Sequence, residues 1–317
     1  MRNNFSPSPD QPVLVIGAAS LDMIGRLKSD MQMGSSTPAH IRISFGGVAR
    51  NVAENLARLG QPVNLLTVVG EDQTGEALLK RTAEAGVNVD AVLRTSLQPS
   101  GTYLGVVNEN GELQFALDDM RALSLISPEY IRQNIHYFEA ASMLFIDANL
   151  PKETMRIVMS QARKCRLQVC ADPTSTSLAC KLSPYLGQFR LITPNSAEAA
   201  ILTQQNFSSS NRREAMRAAK MLVAQGVEIV VIALAKFGVA YATSETSGHV
   251  PAIRTNIVDP TGAGDALTAT VLFGLLNEMP LDDAVRLGVS AASLTLRHSG
   301  AVAPDLSLEK LYDQLVI

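Results

Sequence analysis

DPTGAGDALTATVLFGLL, residues 259–276, sets a turn of small residues directly against an apolar helical run. Asp259-Pro260 starts the turn, Thr261, Gly262, Ala263 and Gly264 follow, and Asp265 stands where the helix begins. Small residues at a helix start leave its first N–H groups bare, and the positive end of the helix dipole adds to them. Such a start binds phosphate or another anion. A carboxylate beside bound phosphate repels it, so Asp265 needs a reason to be there. Accepting a proton from an attacking hydroxyl is one reason. Capping the helix is another, and at this point both stand.

Upstream, Val13–Ile16 is a short apolar run ending at Gly17, which predicts a buried strand. Asp22 lies just past it, where open α/β sheets place ligands. It either grips a diol or bonds its own loop backbone. In FGGVARNVAENLARLG, Val48, Val52, Leu56 and Leu59 share one helical face and Gly60 stops the helix. Gly46 and Gly47 allow close backbone approach to a ligand. Arg50 opposes the helix dipole in the first turn, which suggests a task other than stabilising the helix, with a solvated polar face as the alternative. Strand 62–70 and helix 74–85 follow. Then Thr102–Val107 and Leu113–Leu117 flank Asn108-Glu109-Asn110-Gly111, a hairpin signal. A lone hairpin here predicts a flap over a site or a contact between subunits, and its free edge suits a homodimer.

From residue 143 strands and helices alternate: strands 143–147, 167–171, 189–193 and 228–234, and helices 152–164, 176–185, 195–203 and 212–225. Tyr241–Thr243 and Val250–Ile253 read as an antiparallel pair, and helices 263–277, 281–297 and 307–315 close the chain. This order predicts a mainly parallel sheet covered on both faces. No repeat or linker divides the chain equally.

Composition excludes several classes. Hydrophobic residues make up 46% and charged residues 18%, as in a globular enzyme. With 27 basic and 30 acidic residues the net charge is −3, so no nucleic-acid partner is indicated. Cys165, Cys170 and Cys180 match no zinc spacing and read as reduced thiols. The first residues, 1–11, read as a loose tail rather than a signal peptide, and no apolar run reaches a membrane span. A cytoplasmic protein without membrane partners is expected. There is no GxxxxGK[ST], GxGxxG after the first strand, GxSxG or HExxH. What remains is polar residues at strand ends: Asp147 and Asn149, Asp172, and Thr193-Pro194-Asn195-Ser196-Ala197-Glu198. Asn195 and Glu198 either serve a phosphate or form a capping box.

GAASLD (17–22), FGGVARN (45–51), TPNSAE (193–198) and DPTGAGD (259–265) together resemble the ribokinase/PfkB carbohydrate and nucleoside kinases over nearly the whole chain. The resemblance implies a ribokinase-like three-layer α/β/α sandwich spanning 12–317, with a mainly parallel sheet and a small β lid from segments near 35–45 and 95–120. It implies that Asp265 is the catalytic base and that the amides of Gly262, Ala263 and Gly264 form an anion hole. Asp22, Gly46, Gly47, Asn51 and Asn149 would hold a small-molecule sugar or nucleoside. Asn195 and Glu198 would order ATP and Mg²⁺, the latter largely through water, with Ala235 and Gly238 beside the nucleotide. Asp259 would start a monovalent-cation loop for K⁺, completed near 299–301. Because phosphoryl transfer has a loose transition state, positioning of Asp265 matters more than basicity, and a low pKa would serve.

Within that family the chain is most similar to pseudouridine kinases, through GGVARN, Leu117–Met120, IDANLP (146–151) and ADPTSTS (171–177). A neutral Asn149 suits a nucleobase edge, since an amide both donates and accepts. Two departures stand out. Ala235 replaces a usual glycine, and Leu178 stands where a lysine is expected. The competing readings are a ribose or other sugar kinase, or a catalytically silent nucleoside sensor. A dinucleotide-dependent dehydrogenase is disfavoured by the missing glycine fingerprint.

Overall fold

The computed structural model describes residues 10–315 apart from positions 110 and 112. Positions 1–9 of the expected tail, and Asn110 of the expected hairpin turn, lie outside the described residues. β1 (Val13–Ile16) buries all four side chains because both faces of its sheet are covered. Val13 and Val15 join one apolar cluster, Leu14 and Ile16 the other.

After three residues the chain leaves this sheet for β2 (Ser20–Leu27), which pairs antiparallel with β3 (Ala39–Gly46). Helix α1 (Val48–Arg58) returns it to the body and leads to β4 (Val63–Leu66). The single strand expected over 62–70 breaks at Thr67. Its second half, β5 (Val68–Gly70), turns away from the main sheet and, beyond α2 (Gln73–Glu84), pairs with β6 (Leu93–Thr95). Then come β7 (Gly101–Val107) and β8 (Leu113–Asp119). They pair antiparallel as expected, but the hairpin is not alone. β7 runs parallel to β2, giving a four-stranded lid in the order β3-β2-β7-β8. Its inner face carries Asp22, Arg42 and Tyr103, while Ile43, Met23, Leu104 and Leu117 form one row across the outer face.

The next segment, 121–140, was not expected to be helical, yet a 3₁₀ turn precedes α3 (Pro128–Gln133) and α4 (Ile135–Ala140). Pro128 after the capping Ser127 explains the first of these starts. Then β9 (Met143–Asp147), α5 (Lys152–Lys164) and β10 (Gln168–Asp172) alternate as read. The helix expected over 176–185 shrinks to α6 (Thr176–Ala179) and continues as 3₁₀ to Gln188, around the internal Pro184. The remaining elements are β11 (Phe189–Ile192), α7 (Ser196–Thr203), α8 (Arg212–Ala224), β12 (Ile229–Ala233), β13 (Val239–Ala242) and β14 (Ser247–Val250). Three helices end the chain, α9 (Ala263–Leu276), α10 (Leu281–Leu296) and α11 (Leu308–Leu315). β14 sits earlier than the 250–253 expected; Pro251 cannot donate to the ladder and ends it.

The main sheet has the order β14-β13-β12-β11-β10-β9-β1-β4. All its pairings are parallel except β12–β13 and β13–β14, at one end of the sheet. One apolar cluster packs α1, α9, α10 and α11 on one face, and the other packs α3, α4, α5, α7 and α8 on the opposite face. This is the expected three-layer sandwich with its lid over the carboxyl ends of the parallel strands. No helix among the described residues is long and apolar enough to cross a membrane.

Candidate active site

A cavity of about 800 Å³ opens between the lid and the carboxyl ends of β1, β9 and β10. Its lining brings together Asp22, Gly47, Asn51, Asn149, Asp259 and Asp265, residues spread over 243 positions of sequence (265 − 22).

Asp265 does not cap α9. Gly262 holds the N-cap position at φ 77° and no side chain bonds the first-turn amides. Those N–H groups are therefore left for a ligand, as the small residues suggested. Gly262 is required on two counts. Its φ is left-handed, and a Cβ would collide with the Ala301 carbonyl. A Cβ on Gly264 would meet nothing within 4 Å beyond the helix's own backbone, so space is open on that side of the helix start. The Asp265 carboxylate instead accepts a hydrogen bond from Asn51 Nδ2 at 2.7 Å. Burial pushes its pKa up to about 7; the Asn51 bond opposes the rise, Asp22 and Asp147 add to it, and Arg50 lowers it. The carboxyl is thus more basic than the low value that positioning alone would need.

Asp22 is not a loop residue. It sits inside β2, 6% exposed, its carboxylate accepting from Ser20 Oγ at 2.8 Å. Burial raises its pKa to about 6 against the Ser20 bond and the Arg50 charge. Gly46, paired with Ser20 at the end of β3, has no room for a Cβ because the Asp22 carboxylate occupies that space. Gly47, at φ 90°, lies against the backbone of Ala18 and Ala19, where any side chain would clash. Asp147 was read only as a polar strand end, yet it organises this corner. Fully buried, it accepts from the amides of Ala18 (2.8 Å), Ala49 (3.2 Å) and Asn149 (2.9 Å). It thereby joins the exits of β1 and β9 to the start of α1. Lys181, unflagged by sequence, donates from Nζ to the carbonyls of Ala148 (2.7 Å), Asn149 (3.3 Å) and Leu150 (2.8 Å), fixing the loop that carries Asn149 into the cavity. Leu178 lines the same end.

Asn195, Glu198, Ala235 and Gly238 lie outside this lining, at the ends of β11 and β12. Asn195 and Glu198 do form the capping box of α7: Asn195 Oδ1 accepts from the Ala197 and Glu198 amides, and Glu198 Oε2 accepts from the Asn195 amide. Capping and ligand service are compatible, because the box fixes a buried carboxylate beside Asp172. Both acids are held above their usual range, Glu198 by burial and Asp172 by burial and then by the charges of Glu198 and Asp265. A hard cation is the natural partner for such oxygens. Among the described residues no group of three or more His, Cys, Asp or Glu side chains lies together as a metal cage. Thr193 Oγ1 accepts from Thr268 Oγ1 at 2.8 Å, docking this strand end onto α9 one turn past Asp265. Ala235 adopts φ 49°, a left-handed conformation suited to the glycine it replaces, and a Cβ on Gly238 would strike the Val250 carbonyl.

Asp259, expected to start a cation loop, has both carboxylate oxygens bonded by protein donors. Its Oδ2 accepts from Arg42 Nη1 (2.8 Å) and the Gly300 amide (3.1 Å), and its Oδ1 accepts from the Thr261 amide (3.0 Å). Burial favours the neutral acid, but these donors outweigh it and hold the carboxyl below its usual pKa. The positive charge comes from Arg42 on the lid, a residue with no sequence signal of its own.

The family profile described as pfkB family carbohydrate kinase matches residues 10–307. The chain is 31% identical to the pseudouridine kinase of Escherichia coli (strain K12), over 93% of this chain and 94% of that protein. It is 28% identical to the guanosine-inosine kinase of Exiguobacterium acetylicum, over 89% and 93% of the two chains. The solved structure of Arabidopsis thaliana ribokinase, complexed with ribose and ATP, has a TM-score of 0.82 to this fold at 21% identity, covering 97% and 99% of the two chains. The sandwich and lid are thus ribokinase-like.

Proposed function

Since the chain belongs to the pfkB family of carbohydrate kinases, and is a phosphotransferase on that ground, we propose that it moves the γ-phosphoryl group of ATP to the 5′-hydroxyl of a nucleoside, with pseudouridine as the preferred acceptor. The observation that carries this reading is the placement of Asp265. It stands at an uncapped helix start and lines a cavity whose wall also carries an amide, Asn149, and an apolar side chain, Leu178. A cavity of about 800 Å³ has room for a base as well as a sugar.

Asp22, Asn51 and the backbone at Gly47 hold the sugar hydroxyls and aim the primary one at Asp265. Asp265 accepts its proton as the oxygen attacks. The amides of Gly262, Ala263 and Gly264 take up charge on the transferring group, where preorganised donors are worth most. Asn195 and Glu198 order the triphosphate side, and Mg²⁺, when bound, neutralises phosphate charge. Asn149, set by Lys181, pairs with the edge of the base, and Leu178 packs on its face. The apolar outer row of the lid, with Ile43 61% and Leu117 63% exposed, supports a homodimer in which a second copy covers it.

The test is ATP consumption with pseudouridine, uridine, cytidine, adenosine, ribose and fructose as acceptors. Pseudouridine should give the highest kcat/KM. Turnover with only the free sugars would make this a sugar kinase, and turnover with none would favour a nucleoside sensor.

A further inference from the structure

Arg50 drew attention in the sequence as a cation in the first turn of α1, where the dipole opposes it, and the reaction leaves it without a role. It is 2% exposed and does not line the cavity. Its guanidinium bridges two partners, Nη2 to the Glu54 carboxylate and Nη1 to Asn51 Oδ1 at 3.1 Å. Glu54 is anchored in turn by Arg58, through Nη2 at 2.6 Å and Nε at 3.0 Å, and Arg58 Nη1 donates to the Pro304 carbonyl at 2.6 Å. At the other end of the chain of bonds, Asn51 Nδ2 donates to Asp265 Oδ2.

A carboxamide can present either its oxygen or its NH₂ to a neighbour, and rotating it exchanges the two. A guanidinium is donor-only, so it accepts only the oxygen end. With Arg50 on one side, Asn51 has one satisfied orientation, and that orientation turns its NH₂ to Asp265. Without Arg50 the amide is free to flip and set its oxygen against the carboxylate. Two acceptors in contact are tolerated only when one gains a proton.

We propose that Arg50 is the positioning residue that fixes the Asn51 amide with its NH₂ toward Asp265, so that the ionised, proton-accepting form of Asp265 is favoured. This rests on the reading of Asp265 as the base. The groups facing Asp265 are Arg50 and Asn51 from α1, Asp22 from β2, Asp147 from β9 and Asp172 from β10. Arg50 is the cation in that set, and the other charged members are carboxylates.

The experiment is the pH dependence of kcat/KM for the wild type, Arg50→Met and Arg50→Lys. ATP-analogue affinity and melting temperature are measured alongside. In Arg50→Met the acid limb should move up by about one pH unit, so that activity relative to wild type is about ten-fold lower at acid pH than on the alkaline plateau. Arg50→Lys keeps the charge but loses the fork, and should fall between the two. A profile that superimposes on the wild type, or a loss uniform across pH, overturns the proposal. Should Arg50→Met fail to fold, Arg50→Lys decides, and an unshifted acid limb in it is the overturning result. Asp265→Asn separates the underlying reading: wild-type turnover there removes Asp265 as base whatever the Arg50 variants do.

Discussion

Asp265 and Asp22 share the cavity wall with pKa values of about 7 and about 6, both above the ordinary 3.8. A carboxyl whose folded-state pKa is raised binds more protons folded than unfolded across the interval between the two values. Its contribution to stability is therefore fully present below about pH 4 and is lost as pH rises to about 7. For Asp265 this predicts that Asp265→Asn, similar in shape but uncharged, gains on the order of 2 kcal/mol over the wild type at pH 8 and almost nothing at pH 4. Urea unfolding at the two pH values measures it, and equal effects at both would contradict it. The same variant should lose turnover by roughly 10²–10⁴-fold while still binding nucleotide. Asp22→Ala should act differently, raising the acceptor KM by about 10–100-fold, as expected for hydrogen bonds to a charged group, with a smaller effect on kcat. An acceptor affinity unchanged in Asp22→Ala removes it from the sugar site.

At the scale of elements, the start of α9 shows what sequence discloses and what it withholds. Small residues before an apolar run announced a bare helix start, and the structure has no side-chain cap there. That the Asp265 carboxylate accepts from Asn51, 214 residues away, is encoded in no local pattern. TPNSAE was legible for a related reason, since a capping box is a four-residue signal, and the box is present. β2 was missed because it begins three residues after β1 and is half-exposed along much of its length, so its alternation is faint. Arg42 and Lys181 gave no signal, because an arginine on a lid strand or a lysine beside a short helix is ordinary until its partner is seen. The element also carries a prediction. Gly262→Ala must strain a left-handed residue and displace the 301 carbonyl, moving the first-turn amides. Turnover should fall about 100-fold or more in protein whose far-ultraviolet circular dichroism is retained. Near-normal turnover would mean that these amides do not serve as the anion hole.

Over the whole molecule, body and lid were legible to different degrees. The body follows from buried strands alternating with amphipathic helices, a pattern each segment displays by itself. The lid pairs β2, ending at Leu27, with β7, beginning at Gly101, and that pairing is written in no single segment. That assembly puts Asp22 and Arg42 on adjoining lid strands, Arg42 opposite Ile24, and Arg42 then reaches down to Asp259 at the head of the turn before α9. On the proposed reading, an acceptor that engages Asp22 would also hold the lid where Arg42 meets Asp259. The two halves of the reaction would then be thermodynamically linked, and linkage is reciprocal: whatever factor the acceptor adds to donor affinity, the donor must add to acceptor affinity. Calorimetric titration of a non-hydrolysable ATP analogue with and without nucleoside should show about five-fold tightening in the wild type. In Arg42→Ala that factor should approach one, while each ligand alone binds nearly as before. A cooperativity that survives the loss of Arg42 would place the connection elsewhere. If it vanishes, one guanidinium lets the enzyme sense that an acceptor is seated before it commits its donor, which disfavours spending ATP on water.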